Sequence, residues 1–258
     1  MKFKYTLTSS IKKFIANSNL EEIKIGCSDS KVIKIEKAGQ VYFLKMAKKG
    51  IITAEYNKLN WLNSKLKVPT TVLYDCTDNE EFLITEAIKG SMVCSDEYLN
   101  NPDIGIKIII EAFKNIYAVD IIDCPFDVSI DYKLSLVESN VKNNLISVDS
   151  LQKETIEKYG TLENILKYLK ENKFNDPLCF SHGDTSLPNI FASADKFSGF
   201  IDVGECGLCD KWFDLAICEK SIRRNYGEEN ILKFYQALNI IPDRKKIDYY
   251  LLMMELYL

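Results

Sequence analysis

The spacing of apolar residues changes once along this chain of 258 residues, near residue 90, and that change limits the possible folds more than any other feature. Before it, the stretches 22–26, 31–36 and 41–47 alternate or stay β-prone. Gly26-Cys27-Ser28-Asp29-Ser30 and Lys37-Ala38-Gly39-Gln40 separate them as turns. Period-two alternation bounded by turn residues predicts strands joined by successive hairpins. Residues 52–65 place Tyr56, Leu59 and Leu62 at helical spacing, Pro69 closes that region, and 72–76 and 81–88 add two further strands. After Gly90 the period lengthens. Pro102 opens a helical pattern to about residue 119, with Ile104, Ile108, Ile109 and Phe113 on one stripe. Helices are also expected over 131–144, in one or two pieces over 154–173, and from 210 onward, with loop and strand over 180–202. The expectation is an α+β protein of two lobes, a β-rich N-terminal lobe over 1–88 and a larger, mainly helical C-terminal lobe over 89–258.

Composition removes several function classes. Apolar residues make up 47% and charged residues 27%, a globular balance. The net charge of −4 argues against a generic nucleic-acid binder. Charge is uneven, however. Residues 1–50 hold 11 lysines against 4 acids, or +7, which leaves −11 for the remainder. Such a split suits an anionic cofactor and a cationic substrate, or is chance asymmetry of a solvated surface. The eight cysteines lack the dense spacing of a disulfide scaffold. Cys206-Gly207-Leu208-Cys209 is a lone C-x-x-C, and His182 is the sole histidine to complete a metal site, so free thiols are expected. The N-terminal MKFKYTLTSSIKKF has no apolar core of a signal peptide, and no stretch approaches 18 apolar residues. A cytoplasmic location with no membrane attachment is expected.

The chemistry is concentrated in Ser181-His182-Gly183-Asp184-Thr185-Ser186-Leu187-Pro188-Asn189-Ile190-Phe191, followed by Gly199-Phe200-Ile201-Asp202-Val203-Gly204. An Asp lies five residues before an Asn, and thirteen residues later a second Asp ends an apolar strand. Phosphoryl transfer asks for this set: Asn and Asp oxygens suit a hard divalent cation such as Mg²⁺, and a separate carboxylate receives or orients the acceptor hydroxyl. Otherwise Asp184 and Asn189 cap a turn and Asp202 merely ends a strand. His182 fits a loop brace better than an acid–base group, since Asp184 already fills that role. In the first lobe, Lys45 interrupts the apolar run Phe43-Leu44-Lys45-Met46, costly unless it meets an anion or faces outward at an edge. Glu55 on the following helix is a fitting partner, like the strand-lysine and helix-glutamate pair of kinases. The turn around Ser28 offers N–H groups and a hydroxyl to phosphates, though no Walker loop is present.

These blocks resemble the aminoglycoside phosphotransferases, and specifically their 3′-phosphotransferase branch. The resemblance covers nearly the whole chain and is densest from Cys179 to Gly227, in CFSHGDTSLPNIF, GFIDVGECGLCDKWFDLAICEKSIR and YGEE, with Asp123-Cys124-Pro125-Phe126 and the stretch from Tyr249 to Tyr257 in support. It implies a protein-kinase-like fold that moves the γ-phosphate of ATP or GTP to a hydroxyl of an aminoglycoside. It further implies Asp184 as the catalytic aspartate, Asn189 and Asp202 as magnesium ligands, and Lys45 with Glu55 as the pair holding the α- and β-phosphates. Ser28 falls at the phosphate tail, Phe43 where a ring stacks on the base, and the backbone of Thr85 to Ala87 at the base-binding hinge. On the acceptor side, Glu255, Tyr257 and, from an insert helix, Glu154 match substrate contacts. Three positions depart: Met254 replaces an expected Asp, Arg224 an expected acid, and Glu205 an expected Arg. Leu258 extends the chain past the aromatic terminus. Loss of acids at the first two positions keeps a second substrate class open, another cationic amino alcohol or amino sugar. A non-catalytic nucleotide-binding relative is the remaining alternative.

Overall fold

Alternation in the first ninety residues builds one sheet. The computed structural model describes residues 5–23 and 30–257. In chain order come α1 (Ser9–Ile15), β1 (Asn19–Ile23), β2 (Lys31–Lys37), β3 (Gln40–Lys48), α2 (Thr53–Leu62), β4 (Thr71–Cys76) and β5 (Glu80–Glu86). The strands form an antiparallel sheet in the order β1-β2-β3-β5-β4. Ile33, Leu44 and Ile84 stand opposite one another across its three middle strands and are fully buried. Together with Ile35, Met46 and Phe82 they pack against Leu7 and against Ile11 of α1. Leu44 and Met46 point into this core, so the pleat turns Phe43 and Lys45 to the opposite face.

Two expectations need correction here. Strand β1 starts at Asn19, three residues before the expected 22–26, because Leu20 packs on the α1 core and pairs with Ile35. The short α1 was not foreseen; Thr8 caps it by accepting the Ile11 N–H. The turn containing Ser28 lies outside the described residues.

The chain continues through β6 (Ser91–Met92), α3 (Asp96–Leu99), α4 (Pro102–Tyr117), α5 (Ile130–Lys142), α6 (Lys153–Tyr159), α7 (Leu162–Glu171), β7 (Cys179–Ser181), β8 (Ile190–Ser193), β9 (Lys196–Phe200), β10 (Gly207–Cys209), α8 (Lys211–Tyr226), α9 (Glu229–Leu238) and α10 (Arg244–Met254). Two units result: Met1–Ser91 with Phe191–Gly204, and Met92–Ile190 with Glu205–Leu258. The segment carrying Asp202 thus returns to the first unit. The expected helical run from 210 breaks into three helices, because Gly227 (φ +91°) ends α8 and Asn239 (φ +56°) ends α9 in conformations that do not continue a helix. Among the described residues, no helix is long and apolar enough to cross a membrane.

The second unit is pinned by a buried carboxylate. Glu219 of α8 is fully buried, and it accepts hydrogen bonds from Arg244 of α10 (2.8 and 2.6 Å), Arg223 (2.8 Å) and the Tyr235 hydroxyl of α9 (2.7 Å). Burial alone would raise its pKa, but the Arg244 and Tyr235 hydrogen bonds and the two guanidinium charges hold it below the ordinary range. Removing one side of such a pair leaves the other uncompensated. Glu219→Ala is therefore expected to lower stability by about 3 kcal/mol, read as a fall in melting temperature, and a variant melting with the parent would remove this role.

Candidate active site

Each unit carries part of the predicted set. In the first, Lys45 sits on β3, between β2 and β5, so the edge-residue alternative falls. Its Nζ lies 2.6 Å from a Glu55 carboxylate oxygen, with the side chains 24% and 15% exposed. This is a sheltered ion pair rather than a surface one. Glu55 occupies the first turn of α2, and that helix is itself fixed from β5. Its N-cap residue, Ile52, has no acceptor side chain. Glu81 supplies one, accepting the N–H groups of Ile52 (2.7 Å) and Thr53 (3.0 Å) and the Thr53 hydroxyl. Burial pushes the Glu81 carboxyl up, but these donors pull it down to about 2. An ionised acid also suits a helix N-terminus.

Phe43 stands directly opposite Thr85 in the ladder, so both lie on the face that Lys45 uses. The Ala87 N–H, expected at a base-binding hinge, donates instead to Val41 O at 3.0 Å. Asp202 is exposed and adopts φ +58°, a left-handed conformation uncommon outside glycine.

In the second unit the His-Gly-Asp loop is held from α8. Asp214, in the first turn of that helix, accepts the N–H groups of His182 (2.9 Å) and Gly183 (3.1 Å). The Thr185 hydroxyl donates to the Asp214 carbonyl (2.6 Å), and Ser221 receives the Leu187 N–H (2.9 Å). Gly183 must be glycine: its φ is +84°, and a Cβ there would sit 2.1 Å from Glu205 O. His182 is fully buried, and its Nδ1 accepts the Asp184 N–H, so it braces the loop. The Asp184 carboxylate accepts the Ser186 N–H (3.1 Å) and the Asn189 amide (2.7 Å). Nδ2 of Asn189 donates to the carbonyl and carboxylate of Asp184 and to Ser186 Oγ, and its amide oxygen is a hard donor of the kind Mg²⁺ takes.

The residues expected on the acceptor side are more scattered in their contacts. Glu255 accepts the Gln152 N–H (2.9 Å) and the Thr155 hydroxyl (2.8 Å), tying α10 to the start of α6. Glu255 and Glu154 both line a groove of about 790 Å³. Its acids are Glu154, Asp243, Asp248 and Glu255, set against five basic residues. Tyr257 donates to Glu205 (3.2 Å), so the departing glutamate gains a partner. The Tyr257 ring lies 5.1 Å from the ammonium of Lys133, which also stands 3.6 Å over Phe213. Cys206 and Cys209 are buried free thiols, and burial pushes the Cys209 thiol up to about 12.

Sequence reasoning missed Asp214 and Glu81, the two acids that position the loop and the helix. A signal existed for Asp214, an acid set in the apolar run Trp212-Phe213-Asp214-Leu215-Ala216, where burial requires a partner. None existed for Glu81, one of two adjacent glutamates opening a strand.

The sequence matches the family model described as "Phosphotransferase enzyme family" over residues 19–250. It is 34% identical to an aminoglycoside 3′-phosphotransferase of Enterococcus faecalis, over 98% of this chain and 99% of that protein. It is 31% identical to one of Campylobacter jejuni, over 92% of this chain and 99% of that one. The fold is shared with a solved aminoglycoside-3′-phosphotransferase of type VIII, at a TM-score of 0.82, 22% identity, and coverage of 96% and 97%. It is likewise shared with an aminoglycoside phosphotransferase of Streptomyces rimosus solved with ADP and streptomycin, at a TM-score of 0.75, 19% identity, and coverage of 96% of both chains. Kinase-like architecture and near full-length likeness thus lead to one assignment: this enzyme belongs to the phosphotransferase enzyme family, in its aminoglycoside 3′-phosphotransferase branch.

Proposed function

We propose that this enzyme moves the γ-phosphoryl group of a nucleoside triphosphate to a hydroxyl of an aminoglycoside, at the 3′ position. The observation that carries the reading is the likeness to 3′-phosphotransferases across nearly the whole chain. Lys45, kept extended by Glu55, holds the α- and β-phosphates. Asn189, through its amide oxygen, and Asp202 hold Mg²⁺. When bound, this ion neutralises charge on the phosphates, the chemistry that such oxygen donors suit. Asp184 orients the acceptor hydroxyl and takes its proton late, since the transition state is loose and the gain comes from placement and charge. Phe43 and the strand end at Thr85 contact the base. Ser28, on the phosphate tail in this reading, lies outside the described residues.

A second substrate class has an observation of its own. Arg224 and Met254 stand where acids were expected. Fewer acids at these positions weaken the hold on a polycation with many amines, which favours a hydroxylated substrate with fewer positive charges, such as an amino alcohol or amino sugar. Purified enzyme is to be assayed for nucleotide-dependent phosphorylation of kanamycin-type and gentamicin-type drugs and of small amino alcohols. Turnover of kanamycin-type drugs, which carry a 3′-hydroxyl, is the expected result. Turnover of amino alcohols alone would replace the first reading by the second.

A further inference from the structure

We infer that Lys58 is a positioning residue for Asp202, coupling the helix of the Lys45–Glu55 pair to the turn of the cation ligand. The inference rests on the reading of Asp202 given above. Lys58 lies one turn beyond Glu55 on α2 and is 8% exposed. Its Nζ donates to the carbonyl of Gly204 at 2.5 Å, across 146 positions of sequence. Lysine is seldom buried unless its ammonium is engaged, because desolvating the charge is costly. A leucine or methionine would fill the same space on a helix without that cost. The Gly204 carbonyl is part of that engagement.

That acceptor ends the Ile201-Asp202-Val203-Gly204 segment, where the chain begins to turn. Asp202 holds φ +58°, a left-handed conformation that aspartate tolerates better than most residues. Val203, the next residue, is fully buried. A Cβ at Gly204 would come within 3.9 Å of Asp202 Oδ1, so the carboxylate lies back alongside the peptide that Lys58 grips. One side of the turn is held by the core and the other by α2. The same helix is clamped at its start by Glu81 and holds Lys45 through Glu55. Phosphate lysine and cation-binding turn are thus both referred to a single helix. Partners behind a metal ligand orient it, and losing one typically weakens metal affinity by about 10–100-fold.

The test uses the full chain and a non-hydrolysable nucleotide, AMP-PNP, followed by calorimetry at a series of Mg²⁺ concentrations, with EDTA as the zero point. Lys58→Met keeps the stem and removes the charge. It is expected to leave AMP-PNP affinity in EDTA within about twofold and to raise the Mg²⁺ midpoint about tenfold. Lys58→Gln, with a shorter neutral donor, is expected to shift the midpoint part of the way, and decides the matter if the methionine variant does not fold. Asp202→Ala is the reference and should abolish the Mg²⁺ enhancement. Wild-type midpoints in the Lys58 variants, with the enhancement lost in Asp202→Ala, would overturn the inference alone. An intact enhancement in Asp202→Ala would overturn both it and the assignment of Asp202.

Discussion

Asp184→Ala is expected to lower kcat by about 10²–10⁴-fold while nucleotide affinity stays within a few-fold of the parent. The carboxylate is already oriented: one oxygen accepts the Ser186 N–H and the other the Asn189 amide. Neither bond involves the Lys45–Glu55 pair, which carries the phosphates in the reading above, so truncation at Asp184 should spare the ground state. The loss falls on orienting the acceptor hydroxyl and receiving its proton. Asp184→Asn adds a sharper version, because its amide would set an N–H donor against the Asn189 amide and turn Asn189 as well. Its kcat should fall with a rise in the Mg²⁺ requirement that the alanine variant shows less strongly. Steady-state kinetics with calorimetric nucleotide affinities separate the two. Full activity in Asp184→Ala would remove the residue from the mechanism.

Much of this site was legible because its chemistry is local. Asp184 and Asn189 share one loop, and their spacing alone places a carboxylate beside an amide. Lys45 could be read from its apolar strand, since a charge among Phe43, Leu44 and Met46 has few reasons to be there. The parts that were not legible are those that depend on partners distant in sequence. Glu81 caps α2 from a strand that follows it by nearly thirty residues, and nothing near Ile52 announces that the helix lacks a cap of its own. Lys58 reads as an ordinary helix lysine until Gly204 arrives beside it. The same holds for the fold. Strong alternation located β2 and β3 closely, whereas α1 is short and owes its place to packing on Ile33 and Ile35 rather than to propensity. The groove that Glu154 and Glu255 line was hardest, because its charge is a sum over α6, α8 and α10 that no single motif contains.

Asp214→Asn is expected to separate activity from stability. Burial raises the Asp214 carboxyl to about 6, even though the His182 and Gly183 N–H groups and the Lys133 charge pull the other way. Unfolded, the group titrates near 3.8. Between those two values the folded chain keeps a proton that the unfolded chain has released. This residue's contribution to stability therefore falls as pH rises from about 4 to about 6, and levels off above that. At neutral pH the buried charge costs about 3 kcal/mol. The asparagine variant escapes that cost but leaves one buried N–H of the loop facing an amide donor, a loss of about 1–3 kcal/mol. The two changes nearly offset, so denaturant unfolding at pH 7 should place the variant within about 2 kcal/mol of the parent. Its stability should also lose the slope that Asp214 contributes between pH 4 and 6. The loop is another matter. His182 and Gly183 immediately precede Asp184, and a shift of the order of 1 Å there costs about 10²-fold in rate. A large fall in kcat with little change in stability is a combination that a purely structural residue does not give. If kcat and stability fall together, or if the pH slope survives the substitution, Asp214 is no more than a packing residue. If only the rate falls, the fold keeps an ionised acid in its interior, at a standing cost in stability, because that charge holds the loop carrying Asp184.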